Sequence, residues 1–202
     1  ESLGRLHREW SRFARTGPCP AIRRRLDKLS QWYSNSRARE LAAFAHDDPA
    51  AMLCRSILPL LPPLLDRLPA LLVPLKPVPI RLHPCHGDLW HDHVLFDGDR
   101  VAGMIDFGSA RVDSPAVDLA RLLGSLAGND EQLWREGLDA YLKVVPLSVA
   151  EVDLVRVLDF SGTILGVANW LRWLGDSSRP MNRLAAARRL GVLVDRMRAI
   201  TL

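Results

Sequence analysis

Cysteine is scarce in this 202-residue chain: Cys19, Cys54 and Cys85 are odd in number and far apart. That excludes a disulfide framework and reads as the reduced thiols of a cytosolic protein. No apolar run reaches membrane length unbroken. The most apolar stretch, residues 57–75, is interrupted by Pro59, Pro62, Pro63, Pro69 and Pro74 and carries Asp66 and Arg67. It is not read as a span, and no membrane association is expected. No charged-then-apolar secretory segment opens the sequence, and it has no repeat of solenoid period. Charge of one sign is not concentrated either, because the net charge of +4 is interspersed along the chain. It mildly favours anionic ligands such as nucleotides and gives no reason to expect a nucleic-acid partner. What is present is 48% hydrophobic content, enough to bury a core in one or two domains.

The informative stretch lies mid-chain. His86-Gly87-Asp88 is followed by Trp90, His91, Asp92 and His93, then by two apolar runs flanking Asp97-Gly98-Asp99, then by Asp106-Phe107-Gly108. Asp-Gly between apolar runs is a strong hairpin signal, since glycine tolerates positive φ. Such a hairpin brings Asp88 and Asp106 together across eighteen positions of sequence. A loop carboxylate can take the proton of an attacking hydroxyl. A second carboxylate before Phe-Gly can hold the Mg²⁺ that bridges nucleotide phosphates. Phosphoryl transfer asks for positioning and charge neutralisation more than for covalent chemistry, so two carboxylates placed this way are what it needs.

This layout resembles the aminoglycoside phosphotransferase and choline kinase branch of the protein-kinase-like superfamily, whose loop reads H-G-D-x-x-x-x-N. The resemblance implies ATP and Mg²⁺ as cofactors, Asp88 as catalytic base and Asp106 as metal ligand. It implies that Asp118 braces the loop from the following helix and that His86 braces it from within. Leu6-His7 resembles the start of the large lobe. Trp90, His91 and Asp92 are the candidates on the substrate side, with packing and loop polarity the plainer reading. Where the family carries asparagine, this chain has His93. Imidazole suits transition ions better than magnesium. Three outcomes follow: His93 binds the metal and shifts preference toward a transition ion, Asp92 substitutes, or the second metal position is lost.

The sequence has no G-x-G-x-x-G loop and no strand-borne Val-Ala-Ile-Lys equivalent. Residues 1–202 are therefore expected to form one unit, the C-terminal lobe of a kinase-like phosphotransferase without its nucleotide-clamping lobe. The fold class expected is mostly α (α+β), helical with a small β-hairpin at the catalytic loop. Such a lobe alone would be nearly inactive, and its uncovered apolar surface would favour self-association. The partners expected are a nucleotide and a small hydroxylated metabolite. Two other readings stand beside this one. One is a non-catalytic, pseudokinase-like binding module. The other is a transition-metal hydrolase built from His86, Asp88, His91, His93 and Asp106.

Helical spacing predicts a first helix bearing Leu3, Leu6, Trp10 and Phe13 and ending near Thr16-Gly17-Pro18, then a helix over 21–46. Asp48 with Pro49 predicts a capped helix to Leu58, and a short helix is expected over 63–72. The proline-rich stretch 73–84 reads as a stiff extended spacer with a brief strand at Ile80-Arg81-Leu82. Arg111-Val112-Asp113 reads as a turn, followed by a helix capped by Ser114 and burying Leu119, Leu122, Leu123 and Leu126. Further helices are expected over 130–143, 148–174 and 180–200, the second opened by a Ser148/Glu151 capping box. Gly162 and Gly166 would permit a close helix crossing. Arg172, Arg179, Arg183, Arg188, Arg189, Arg196 and Arg198 outnumber Asp176 and Asp195 in the last segment. This favours a neutral or anionic acceptor over a polycationic aminoglycoside.

Overall fold

The structure is a computed structural model that describes residues 1–43, 48–176, 178 and 180–199. His46, Arg179 and Ile200, on which parts of the sequence reading fall, lie outside the described residues. The fold is mostly helical with small antiparallel sheets. It divides into two compact units, one of residues 1–23 and 74–159, the other of residues 24–73 and 160–202.

The first unit opens with α1 (Ser2–Trp10), shorter than expected because a 3₁₀ turn over Ser11–Phe13 ends it. β1 (Arg15–Pro18) follows, a strand where the sequence suggested only a helix stop. α2 (Pro20–Ala43) starts on its proline. After α3 (Pro49–Ile57), α4 (Leu61–Leu72) and a 3₁₀ turn, the chain enters β2 (Pro79–Cys85). The expected spacer is thus the middle strand of a sheet ordered β1, β2, β5, in which β5 (Arg111–Asp113) replaces the expected turn. β1 pairs with β2 over residues 79–82 and β5 pairs with it over 83–85. Pro84, which has no N–H, therefore sits where β2 is paired on one side only.

The register of β2 and β5 positions the site. They run antiparallel with Cys85 opposite Arg111. The chain leaving β2 at His86 therefore lies beside the chain that enters β5 from Asp106. The second device is the expected hairpin, β3 (Val94–Asp97) with β4 (Arg100–Met104). Asp97 pairs with Arg100, so the turn is Gly98-Asp99, with Gly98 at φ +57°. A register shift after Leu95 leaves Ala102 as a bulge.

α5 (Ala116–Ala127) begins after Pro115, and Ser114 accepts the Ala116 N–H on its side chain at 3.3 Å. Its buried side carries Asp118, Leu119 and Leu123, whereas Leu126 is 55% exposed and Leu122 half-buried. α6 (Glu131–Leu142) is capped by Asp130, which accepts from Gln132 and Leu133. α7 (Val149–Leu174) opens with the predicted capping box: Ser148 N–H donates to Glu151 at 2.8 Å, and Glu151 N–H to Ser148 Oγ at 3.3 Å.

In the second unit, α3 is capped as the sequence predicts, with the Ala51 N–H donating to Asp48 Oδ1 at 2.9 Å. α8 (Arg183–Ala199) packs against α3, and Arg183 donates to Asp48 through Nε and Nη2. Arg198 bonds Ser56 and Arg172 bonds Asn169, so these arginines are engaged within their own unit. That takes weight from the charge of this segment as an acceptor signal. Gly162 faces Arg25 and Gly166 faces Leu193, two side chains on different helices, instead of one close backbone crossing. Cys54 of α3 is fully buried, and burial pushes its thiol up to about 11.

Among the described residues α7 is long and apolar enough to cross a membrane, but 56% of its most apolar window is buried within the protein, as in a core helix. The proline-broken stretch after α3 bends by 59° between α3 and the following helical segment.

Asp48→Ala is expected to lower the unfolding free energy, read by urea denaturation, by about 1 kcal/mol for the cap alone, with a further loss from the Arg183 pair. Asp48→Asn, which caps without a charge, is expected to lose less.

Candidate active site

The site is built on one buried carboxylate. Asp118, in the first turn of α5, is fully buried. It accepts the backbone N–H of His86 on Oδ2 and of Gly87 on Oδ1, each at 2.7 Å. His7 of α1 reaches the same Oδ2 through Nε2 at 3.1 Å, and its Nδ1 lies 2.8 Å from the Tyr141 hydroxyl. Burial pushes the Tyr141 phenol far above its ordinary value, so the hydroxyl stays a donor to His7 while His7 donates to Asp118. A buried carboxylate is tolerated when its lone pairs are filled, and three donors fill these.

Gly87 explains why glycine stands in the loop triplet. Its φ is +85°, and a side chain there would collide with the Ser109 carbonyl and lie 2.6 Å from Arg111 Nη1. Arg111 donates to the carbonyls of Ser109 and Gly87 at 2.8 and 2.7 Å, stapling the segment after Asp106 onto the His86–Asp88 loop. Its Nε lies 3.5 Å from Asp113, a buried carboxylate that also accepts from the N–H groups of Ala21 and Ser114.

The two loops are joined again by histidines. His86 Nε2–H donates to the Ile105 carbonyl at 2.8 Å, and its Nδ1 faces the Asp88 N–H at 3.4 Å. His93 Nδ1–H donates to the Asp88 carbonyl at 3.0 Å, while the Trp90 indole N–H donates to His93 Nε2 at 2.8 Å. These partners assign His93 as the Nδ1–H tautomer, with its Nε2 lone pair toward Trp90. Asp106 Oδ2 lies 3.4 Å from that Nε2. That lone pair is already taken by the Trp90 N–H, so Asp106 approaches the ring edge without a hydrogen bond of its own to it. Asp106 has φ +62°, the left-handed region, and is the one non-glycine residue in it among the described residues. Aspartate tolerates this conformation better than most residues, and such strain concentrates at working sites.

Asp88 and Asp106 side chains are 50% and 66% exposed, so both face solvent. His91 and Asp92, also exposed, pair with each other at 3.1 Å. Trp90 is half-buried against His93 and His91, its ring centroids 5.5 and 5.0 Å away. Among the described residues, the one metal-sized cluster of His, Cys, Asp or Glu is His7, Cys85 and Asp118, not the His86–His93 set of the hydrolase reading. The atoms of that buried group are already in hydrogen bonds, including Cys85 Sγ to the Asp113 carbonyl at 3.4 Å.

Arg111, Tyr141, Arg121 and Ser125 escaped the sequence reading. Arg121 Nε donates to Asp88 Oδ1 at 3.1 Å, and the His91 N–H donates to Ser125 Oγ at 3.0 Å. Counting three and seven residues on from Asp118 would have placed both on its side of α5.

Residues 1–152 match the family model described as "Phosphotransferase enzyme family". The chain belongs to this family. The match of this phosphotransferase-family chain ends inside α7. Its curated relatives include homoserine kinases. That of Neisseria meningitidis serogroup B is 33% identical over 129 residues, covering 61% of this chain and 38% of the relative. That of Methylocella silvestris is 31% identical over 134 residues, covering 54% and 41%. That of Brucella anthropi is 38% identical over 78 residues, covering 36% and 24%. The similarity thus spans less than half the length of these relatives.

Gly87→Ala is expected to destabilise the protein more than Gly98→Ala in urea unfolding. Each loses about 1–2 kcal/mol for a left-handed conformation. Only Gly87 adds a collision, since nothing lies within 4 Å of a side chain built on Gly98.

Proposed function

We propose that this chain is the C-terminal lobe of a kinase-like phosphotransferase that moves the γ-phosphate of ATP to a hydroxyl of a small metabolite. The observation that carries the reading is the double tie between the Asp88 loop and the Asp106 loop through His86 and His93. Two solvent-facing carboxylates on adjoining loops suit one reacting phosphoryl group. The family model supports the reaction class, and the names of the relatives make homoserine, an amino acid with a side-chain hydroxyl, the first acceptor to test.

Asp88 would accept the proton of the attacking hydroxyl through its carboxylate. Asp118 and His86 would hold the loop so that this carboxylate keeps its place. Asp106 would hold Mg²⁺, which, when bound, neutralises charge on the nucleotide phosphates. The donor set fits that ion, because an exposed carboxylate plus phosphate oxygens is how Mg²⁺ is usually held. His93 would adjoin that metal position, with its nitrogen lone pair taken by the Trp90 indole N–H. Moving the Trp90 indole would free that nitrogen and favour a transition ion such as Zn²⁺ or Fe²⁺. Asp92, paired with His91, is the weaker substitute.

No glycine-rich loop is present to cover the phosphates from above, so the clamp would come from outside these residues. The apolar side chains Leu95 and Phe96 on β3 and Ile105 and Phe107 on either side of Asp106 in the chain, all more than 40% exposed, would suit such a cover. Left uncovered, they would favour self-association.

In the full-length protein, Asp88→Asn is expected to lower kcat by about 10²–10⁴-fold with nucleotide binding unchanged. Asp106→Asn is expected to abolish the Mg²⁺ dependence of nucleotide binding, read by calorimetry. Unchanged turnover in Asp88→Asn would remove the base from the proposal. Nucleotide binding with no turnover in the parent would favour the non-catalytic reading.

A further inference from the structure

α5 lies along the loop as a row of three contacts. Asp118 takes the amides of His86 and Gly87, Arg121 takes the Asp88 carboxylate, and Ser125 takes the amide of His91. The first and third are backbone clamps that would hold any such loop. The second is different, because it puts a guanidinium on the side chain read above as the base.

The contact is made side-on. Arg121 uses Nε, at 3.1 Å from Asp88 Oδ1, and its guanidinium lies 5.9 Å from the Trp90 ring centre. Among the described residues, neither terminal nitrogen of Arg121 has a hydrogen-bond partner, and neither has Asp88 Oδ2. The Arg121 and Asp88 side chains are 47% and 50% exposed. The pair therefore presents to solvent a carboxylate oxygen that can take a proton and, beside it, a two-nitrogen edge of fixed geometry. That edge matches a carboxylate oxygen for oxygen, which an ammonium would not. As an ion pair alone, an exposed Arg–Asp contact contributes little. Its value lies in what it leaves open.

We infer that Arg121 is the acceptor-specificity residue, gripping a carboxylate on the substrate so that a hydroxyl a few methylenes away reaches Asp88. The acceptor class is then a hydroxylated carboxylic acid, amino acids included. This rests on the reading of Asp88 as base. Asp88 takes the proton as the hydroxyl oxygen bonds to the γ-phosphorus and the bond from that phosphorus to ADP breaks.

The test uses the full-length protein, L-homoserine and its uncharged carboxamide, with Arg121→Gln and Arg121→Lys. Arg121→Gln is expected to raise KM for L-homoserine by roughly 10–100-fold, the loss of a charge-assisted contact. The KM for the amide should stay close to wild type, any kcat change from the lost contact to Asp88 should be the same for both acceptors, and Arg121→Lys should fall between. Calorimetric binding of L-homoserine should weaken in parallel. Equal KM changes for acid and amide would overturn the inference. So would a kcat loss common to both with neither KM changed, which would place Arg121 on the phosphoryl group or in orienting Asp88 alone. So would a parent enzyme that neither binds nor phosphorylates L-homoserine. If Asp88→Asn abolishes turnover on both acceptors while Arg121→Gln discriminates neither, only the specificity role fails. If Asp88→Asn retains turnover, the functional reading itself fails.

Discussion

A carboxylate with no access to water holds the site together. Asp118 would be costly to bury alone, and it is stable because two loop amides and a histidine fill its lone pairs. The dependence runs both ways. His86 and Gly87 N–H groups, turned out of any strand ladder, need that acceptor as much as it needs them. The result fixes where Asp88 begins. Because His7 and Tyr141 stand behind Asp118, α1 and α6 are coupled to the loop through hydrogen bonds as well as apolar contact.

The second constraint is the β2–β5 register. With Cys85 opposite Arg111, the residues after one strand and before the other must adjoin, and Arg111 closes the junction by bonding both. The β3–β4 hairpin shortens the path between the two carboxylates but does not alone align them. Arg111 also explains the triplet: its guanidinium occupies the space a side chain at Gly87 would need. An Arg at the middle of the triplet, as in H-R-D, would have to displace this staple. Glycine and Arg111 are two halves of one solution.

How much of this was legible in the sequence depended on range. Asp48 with Pro49, Ser148 with Glu151 and Asp97-Gly98 act within a few residues of themselves, and each was found where expected. Thr16-Gly17-Pro18 looks like a helix stop in sequence and Arg111-Val112-Asp113 like a turn, because strands of three or four residues, here Arg15–Pro18 and Arg111–Asp113, carry no alternation. They are strands because β2 offers them partners. Spacing alone puts Leu126 in the core, and tertiary packing leaves it outside. The carboxylate motif was recognisable from residue types in order. Arg121 and Ser125 were not, since neither type signals chemistry until the helix is laid against the loop.

The central claim is that Asp88 and Asp106 serve the same phosphoryl group from two sides. A crystal structure of the full-length protein with Mn²⁺, a non-hydrolysable ATP analogue and a hydroxylated acceptor tests it most directly, with the ion located by anomalous scattering. The account predicts the ion bound to an Asp106 oxygen and the acceptor hydroxyl within hydrogen-bond distance of Asp88. An ion held elsewhere, or a hydroxyl out of reach of Asp88, would contradict it.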